Sequence, residues 1–399
     1  MSEIKDLIIR KSEEIHRQVT DFRRDLHMYP ELSYREFRTA EYIQNWLDKN
    51  NIQYTDGIAG TGILGRISGN GKGNRIVAVR AEMDALPVNE RNDNDYISRN
   101  PGVMHACGHD AHMAILMGSA LVIKSLSEEF GGTLLLVFQP GEEKSPGGAR
   151  LFIESGIFNN YKPDIILGTH NLPEIAAGKT GYKAGRYMAS CDEIYINVLG
   201  KGGHAALPGL TTDQILIASE IVVKIKEKTT RIAAERNIPT VLGIGRISGE
   251  GATNVIPEKV EIAGTFRTFD ERWRAECIEM IRQTAVQIAG NYGAVADVKI
   301  AEGYPVLVND EDLTEKAIRL SEELLGRENV ISCDVRMTSD DFSFYGSVAP
   351  SLYFRTGMGA RKPDMELRKL HTPDFDIDEE GLRTGVANMS WLIYNFLTT

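Results

Sequence analysis

Apolar side chains recur along this chain at two different periods, and the change of period marks its organisation. Up to Pro30 they fall at helical spacing, and Pro30 breaks the pattern. Ser33-Tyr34-Arg35-Glu36 then has the form of a capping box, from which Phe37, Ala40, Ile43 and Leu47 continue as one helical face. Short apolar runs follow, alternating with helical patterns. Arg75–Ala81, Thr133–Gln139 and Ile165–Thr169 read as buried strands, with helices over Ala111–Leu126 and Gly148–Phe158. Continuous apolar strands alternating with helices predict an α/β fold with a mainly parallel sheet covered on both faces.

The pattern changes in the middle of the chain. Glu193–Leu199 alternates apolar and polar residues, as a strand with one exposed face does. A helix over about 211–229 follows, then strands near Val241–Ile247 and Val260–Phe266, a helix over about 271–289 and a strand near Val295–Ala301. This β-α-β-β-α-β order is the ferredoxin-like unit. Residues 184–303 therefore read as an inserted domain, with 1–183 and 304–399 forming the α/β domain around it.

Composition narrows the function classes. The chain has 56 acidic and 45 basic residues, a net charge of −11, and no stripe of Lys and Arg, so nucleic acid is not an expected partner. No segment approaches a membrane span, and MSEIKDLIIRKSEE lacks the cationic start and apolar run of a secretory signal. Cys107, Cys191, Cys277 and Cys333 lie far apart, which suits reduced thiols in a cytoplasmic protein.

The chemistry concentrates at strand ends. MHACGHDAH (104–112) holds three of the eight histidines, His105, His109 and His112. If it is extended, His105, Cys107 and His109 share a face, and thiolate and imidazole are good ligands for zinc-like metals. FQPGEE (138–143) places Glu142 and Glu143 after the strand Thr133–Gln139, where open α/β sheets bind ligands. Adjacent carboxylates repel unless a cation is near, so one suits metal ligation and the other general base catalysis. IILGT delivers His170 at its carboxyl end, LHTPDF places His371 in a loop before the last helix, and RAEMDALP offers Glu82 and Asp84. His204 sits on the glycine-rich turn GKGGHAALP of the insert, and Arg267 has a fork suited to a substrate carboxylate. Glycine-rich stretches such as GIGRISGEG lack the spacing of a dinucleotide site.

Taken in order, MDALP, MHACGHDAH, FQPGEE, GTHNLP, GKGGHAALP, TNVIP, DDFSFY and LHTPDF resemble the metallo-aminoacylase and carboxypeptidase family of succinyl-diaminopimelate desuccinylases and glutamate carboxypeptidases. The chain is most similar to the branch of hippurate hydrolases, N-acyl-L-amino acid amidohydrolases, plant auxin-conjugate hydrolases and N-acetyl-diaminopimelate deacetylases. The resemblance implies two divalent metal ions per subunit, Mn2+ or Zn2+ first and Co2+ or Ni2+ next, held by Cys107, His109, Glu143, His170 and His371. It implies Glu142 as general base, Asp84 as the residue behind the ligands, and His204 and Asn254 reaching the reaction centre, often from a partner subunit. Arg267 would hold the product's carboxylate. The insert would serve as lid and dimerisation platform, with a homodimer or tetramer expected. Residue 82 is Glu where close relatives carry Asp, and residue 209 is Gly where relatives often carry His.

The resulting expectation is a hydrolase of the N-acyl amide bond in small acylated amino acids. Three readings compete with it: a dipeptidase or carboxypeptidase of the same fold, a thiol enzyme with Cys107 as nucleophile and His109 as base, and a binding protein without turnover.

Overall fold

The computed structural model describes residues 2–360 and 368–398. The chain divides into two compact units, Met1–Gly185 with Val308–Asp334 and Phe344–Thr399, and Arg186–Leu307 with Val335–Ser343. The second unit thus takes in a segment late in the chain. Arg336 joins it through backbone bonds, Ala189 N to Arg336 O at 3.0 Å and Arg336 N to Tyr187 O at 2.9 Å. This segment has no regular periodicity, which is why the hydrophobic pattern does not reveal it.

In the first unit eight strands form one sheet, in the order Gln53–Ile58, Gly62–Ser68, Thr133–Gln139, Ile76–Glu82, Ile165–Ala176, Ser351–Gly359, Thr180–Tyr182 and Val330–Ser332. The four central strands, from Thr133–Gln139 to Ser351–Gly359, are parallel. Their apolar runs are buried: Val77, Ala78, Leu134 to Phe138, Ile166 and Leu167 have essentially no exposed surface. The helix His109–Lys124 packs with Glu380–Leu397, and both are buried over most of their circumference, as covering helices of an α/β sheet are.

Several sequence expectations are corrected here. The strand Ser351–Gly359, for which the sequence pattern carried no expectation, is buried along its whole length, with Arg355 and its glycines interrupting the apolar run. The helix expected over 148–158 is two, Gly148–Glu154 and Ile157–Asn160, divided at Gly156 with φ +77°. Phe37 is 67% exposed and does not join the face formed by Ala40, Ile43 and Leu47. The Ser33–Glu36 capping box does not form. The helix begins at Phe37, and Glu31 caps it by accepting from Arg38 N at 3.1 Å and Thr39 N at 2.8 Å. Ser33 and Glu36 are claimed by other buried donors and acceptors.

The second unit contains the β-α-β-β-α-β run Asp192–Leu199, Gln214–Glu235, Thr240–Ser248, Lys259–Thr268, Glu271–Asn291 and Val295–Glu302. Its antiparallel sheet has the order Thr240–Ser248, Lys259–Thr268, Asp192–Leu199, Val295–Glu302, the ferredoxin-like arrangement. Ile194, Ile196 and Val198 alternate inward to pack with Ile217, Ile221 and Ile281 of the two helices. Asp213 and Asp270 cap those helices, accepting from Leu216 N and Trp273 N.

Candidate metal centre

The carboxyl ends of the central strands carry the candidate residues. Glu82 ends the strand Ile76–Glu82, Asp84 follows it, and Glu142 and Glu143 follow Thr133–Gln139. His170 lies inside its strand rather than at the end, because Ile165–Ala176 continues to pair with Ser351–Gly359 past it. On the other side Arg80 faces Gly168, so His170 reaches the level of Glu82 all the same.

The segment 104–109 is not extended as the alternating-face argument assumed. Gly108 has φ +83°, and a Cβ there would lie 2.1 Å from Asn171 Nδ2, which donates to Cys107 O at 2.7 Å. Only glycine fits this turn. The turn starts the helix at His109 and brings Cys107 and His109 together, while His105 is directed elsewhere. Both ring nitrogens of His105 are buried without a hydrogen bond, and burial pushes its pKa down to about 3.

Four donors converge on Cys107. His170 Nε2 lies 3.4 Å and His371 Nε2 3.3 Å from its Sγ, and His371 Nε2 is 3.4 Å from Glu143 Oε1. Cys107, His109 and His170 each offer an atom within 4.8 Å of the others, and so do Cys107, Glu143 and His371, and His109, Glu142 and Glu143. Donors bonded to one metal at about 2.0–2.3 Å stand roughly 3.3–3.7 Å apart in tetrahedral geometry. His371 is held at φ +63° with its N–H donating to Ala106 O at 2.8 Å, a left-handed position unusual for a side-chain-bearing residue.

The residues fit a metal pair on two observations. His109 Nε2 and Glu143 Oε1 are buried without a hydrogen bond, although each belongs to a donor cluster. The rings are also pinned through their other nitrogens, as ligand histidines are. His109 Nδ1 donates to Asp84 O at 2.8 Å beside Asp84 Oδ1 at 3.3 Å, and His170 Nδ1 donates to Asn171 O at 2.7 Å. Asp84 Oδ2 accepts from Glu143 N at 3.0 Å, so one buried residue orients two members of the set, His109 through its carbonyl and Glu143 through its carboxylate.

Electrostatics point the same way. Burial lifts the Cys107 thiol well above its usual range, and Glu143, Glu142 and Glu82 lift it further. Burial, with the nearby Arg355 charge, drives His170 well down, leaving it neutral as a ligand must be. For His109 burial acts downwards too, but Glu82 and Asp84 overcome it and hold the proton up to about 10. The acidic field that holds this proton also favours a divalent cation, which would have to displace it.

Behind the donors stands Glu82, read from the sequence as an acid that could orient a ligand, with Arg80, His112 and Tyr353, to which sequence reasoning assigned no role. Glu82 is buried, paired with Arg80, accepting from Tyr353 Oη at 3.1 Å and from His112 Nδ1 at 2.7 Å. Arg80, His112 and His109 hold it well below the usual carboxylate range against burial. His112 Nε2 in turn accepts from Asn171 N at 2.9 Å. The i, i+3 spacing of His112 from His109 at a helix start was the available signal.

In the second unit His204 and Asn254 come together. Gly203–His204 pairs with Val255–Ile256, Ala205 N donates to Asn254 O at 3.0 Å, and His204 is exposed. Arg267 donates to Met337 O at 3.1 Å and Ser339 Oγ at 3.3 Å, both in the late segment of that unit.

Comparison with known proteins shows the family. Residues 78–395 match Peptidase family M20/M25/M40. The chain is 36% identical to IAA-amino acid hydrolase ILR1-like 4 of Arabidopsis thaliana, over 96% of this chain and 86% of that one. It is 35% identical to N-acetylcysteine deacetylase of Bacillus subtilis, over 92% and 93% of the two chains. The crystal structure of a dinuclear metal-binding M20 peptidase from Bacillus subtilis superposes with a TM-score of 0.80 at 31% identity, covering 96% of this chain and 99% of that one. The chain is thus an enzyme of peptidase family M20/M25/M40.

Proposed function

We propose that the protein is a metal-dependent amidohydrolase that cleaves the N-acyl amide bond of small N-acyl amino acids, releasing a carboxylic acid and a free amino acid. The observation that carries this reading is the convergence of Cys107, His109, Glu143, His170 and His371, with Glu142 in the cluster beside His109 and Glu143. Those five residues would hold two divalent cations, Mn2+ or Zn2+ before Co2+ or Ni2+. Such cations polarise an amide carbonyl and lower the pKa of water enough for attack near neutral pH.

The chain's own groups supply the rest. Glu142 takes the proton of the attacking water as the C–O bond forms, and returns it to the nitrogen as the C–N bond breaks. Asp84 keeps His109 in the tautomer with Nε2 free and fixes the backbone of Glu143. His204, donating to the developing oxyanion, and Asn254 act from a partner subunit of a homodimer, and Arg267 receives the substrate carboxylate. The names of the deacetylase and IAA-amino acid hydrolase relatives support an N-acyl amino acid substrate.

The test is amine release from a panel of N-acetyl and N-benzoyl amino acids and dipeptides, before and after chelation and with each cation restored. Loss with chelator, recovery with one cation and preference for N-acyl amino acids are expected. Release from dipeptides alone would replace this reading with a peptidase. Activity indifferent to chelator and abolished by thiol alkylation would replace it with Cys107 nucleophilic chemistry.

A further inference from the structure

We infer that the loop Ser33–Glu36 is a strut that sets the position of Glu142, with Glu36 and Tyr34 as its positioning residues; this rests on the base role proposed for Glu142. The loop has the sequence of a helix cap but does not act as one. Ser33, Tyr34 and Glu36, three of its four polar side chains, go to the Gly141–Lys144 turn or to the carboxylate bonded to that turn.

Glu36 is fully buried although nothing cationic pairs with it among the described residues. Its carboxylate instead collects three neutral donors. Oε1 accepts from Tyr34 N at 2.8 Å and from Gly141 N at 2.9 Å, and Oε2 accepts from Thr61 Oγ1 at 2.6 Å. Gly141 immediately precedes Glu142, so this bond fixes one end of the peptide from which Glu142 projects. Tyr34 holds the far side of the turn, its hydroxyl donating to Lys144 O at 2.9 Å. The two clamps enclose Glu142 and Glu143 between residues 141 and 144. Ser33 adds a third, indirect one. Its Oγ donates to Asp84 Oδ2 at 2.6 Å, and that same oxygen accepts from Glu143 N at 3.0 Å.

The fit is close on both sides. Gly141 has φ +61°, and a Cβ there would stand 2.3 Å from Cε1 of Tyr34, so the Tyr34 ring lies directly against the turn's backbone. Tyr34 itself has φ +65°, a left-handed conformation that a bulky side chain rarely adopts. A residue held there by bonds to both Glu36 and Lys144 is being used to direct its ring and hydroxyl. A buried carboxylate spent on backbone N–H groups, and a strained tyrosine beside it, are more than helix capping requires, since Glu31 already does that.

Full-length Glu36→Ala, Glu36→Gln and Tyr34→Phe, loaded with metal, test this, with Glu142→Gln as reference. The measurements are kcat and KM on the best N-acyl amino acid, bound metal, thermal midpoint, and hydrogen exchange of the peptide spanning 139–146. Misplacing a catalytic group by about 1 Å costs on the order of 100-fold. Glu36→Ala should therefore lower kcat by about 10- to 100-fold with KM changed less than about threefold. Its bound metal should be retained and the exchange of the turn accelerated. Glu36→Gln keeps an acceptor for Gly141 N and should recover much of the rate, and Tyr34→Phe should show a smaller loss of kcat with the same faster exchange. If Glu36→Ala does not fold, the other two variants carry the test. Wild-type kcat and wild-type exchange in folded variants overturn the inference. Full activity in Glu142→Gln would instead remove the base role on which it rests.

Discussion

At the scale of single residues, the site is defined by protons that a metal must displace. Cys107 keeps its proton at neutral pH because burial and then Glu143, Glu142 and Glu82 oppose the thiolate, and His109 is held protonated up to about 10. Binding of a divalent cation should therefore release protons, and affinity should rise with pH. Calorimetric titration of the metal-free protein with Mn2+ or Zn2+ should show tighter binding at about pH 8 than at about pH 6. A flat profile would mean that neither group gives up a proton. Cys107→Ala should lose at least one metal by elemental analysis, and full occupancy would remove it from the ligand set. Cys107, His109, Glu143, His170 and His371 stand out in the sequence as His, Cys and Glu collected in a few short segments. Glu36 does not, because four residues that spell a capping box carry no trace of the turn, over a hundred residues away, that they support.

At the scale of elements, the helix His109–Lys124 carries the proposed ligand His109 at its first residue and must be anchored there. The adjacent Asp110 does this, accepting from Arg23 Nε at 2.8 Å and His27 Nδ1 at 2.7 Å, with Arg23 and Asp110 fully buried. Arg23→Met strips the buried Asp110 of its guanidinium and leaves it only His27, and should cost about 3–5 kcal/mol in denaturant unfolding of the metal-free protein. A loss below about 1 kcal/mol would contradict a structural role for the pair. Burial raises the carboxyl pKa of Asp110, but Arg23 and then His27 reverse this and hold it below the usual range, as Arg23 also does for Asp376. A depressed carboxylate contributes stability above its unfolded pKa and loses it as pH falls. The metal-free protein should therefore lose thermal stability below about pH 4, and Asp110→Asn should flatten that dependence. A thermal midpoint that falls as steeply in Asp110→Asn as in the wild type would place the acid sensitivity elsewhere. The apolar strands and the alternation in Asp192–Leu199 were legible because burial on two faces and on one leaves different periods. The strand Ser351–Gly359 was not, because its burial is shared with Arg355, whose guanidinium lies 5.2 Å from the Tyr353 ring centroid.

At the scale of the molecule, the insert was legible as a β-α-β-β-α-β run, whereas Val335–Ser343 joins it through loop backbone contacts that no period announces. The proposed function places His204 on one subunit and Glu142 on the other. Mixing inactive His204→Ala with inactive Glu142→Gln should then restore part of the activity through hybrid dimers. No recovery after demonstrated subunit exchange would favour a site built within one chain. Metal-activated hydrolysis in which Glu142 carries the proton stands or falls with Glu142→Gln, assayed in a single preparation for bound metal and for turnover of N-acyl amino acids. The variant should keep wild-type metal content with turnover reduced by at least about 100-fold, in keeping with loss of a general acid–base. Wild-type turnover in the fully metallated variant would mean that Glu142 is not the base.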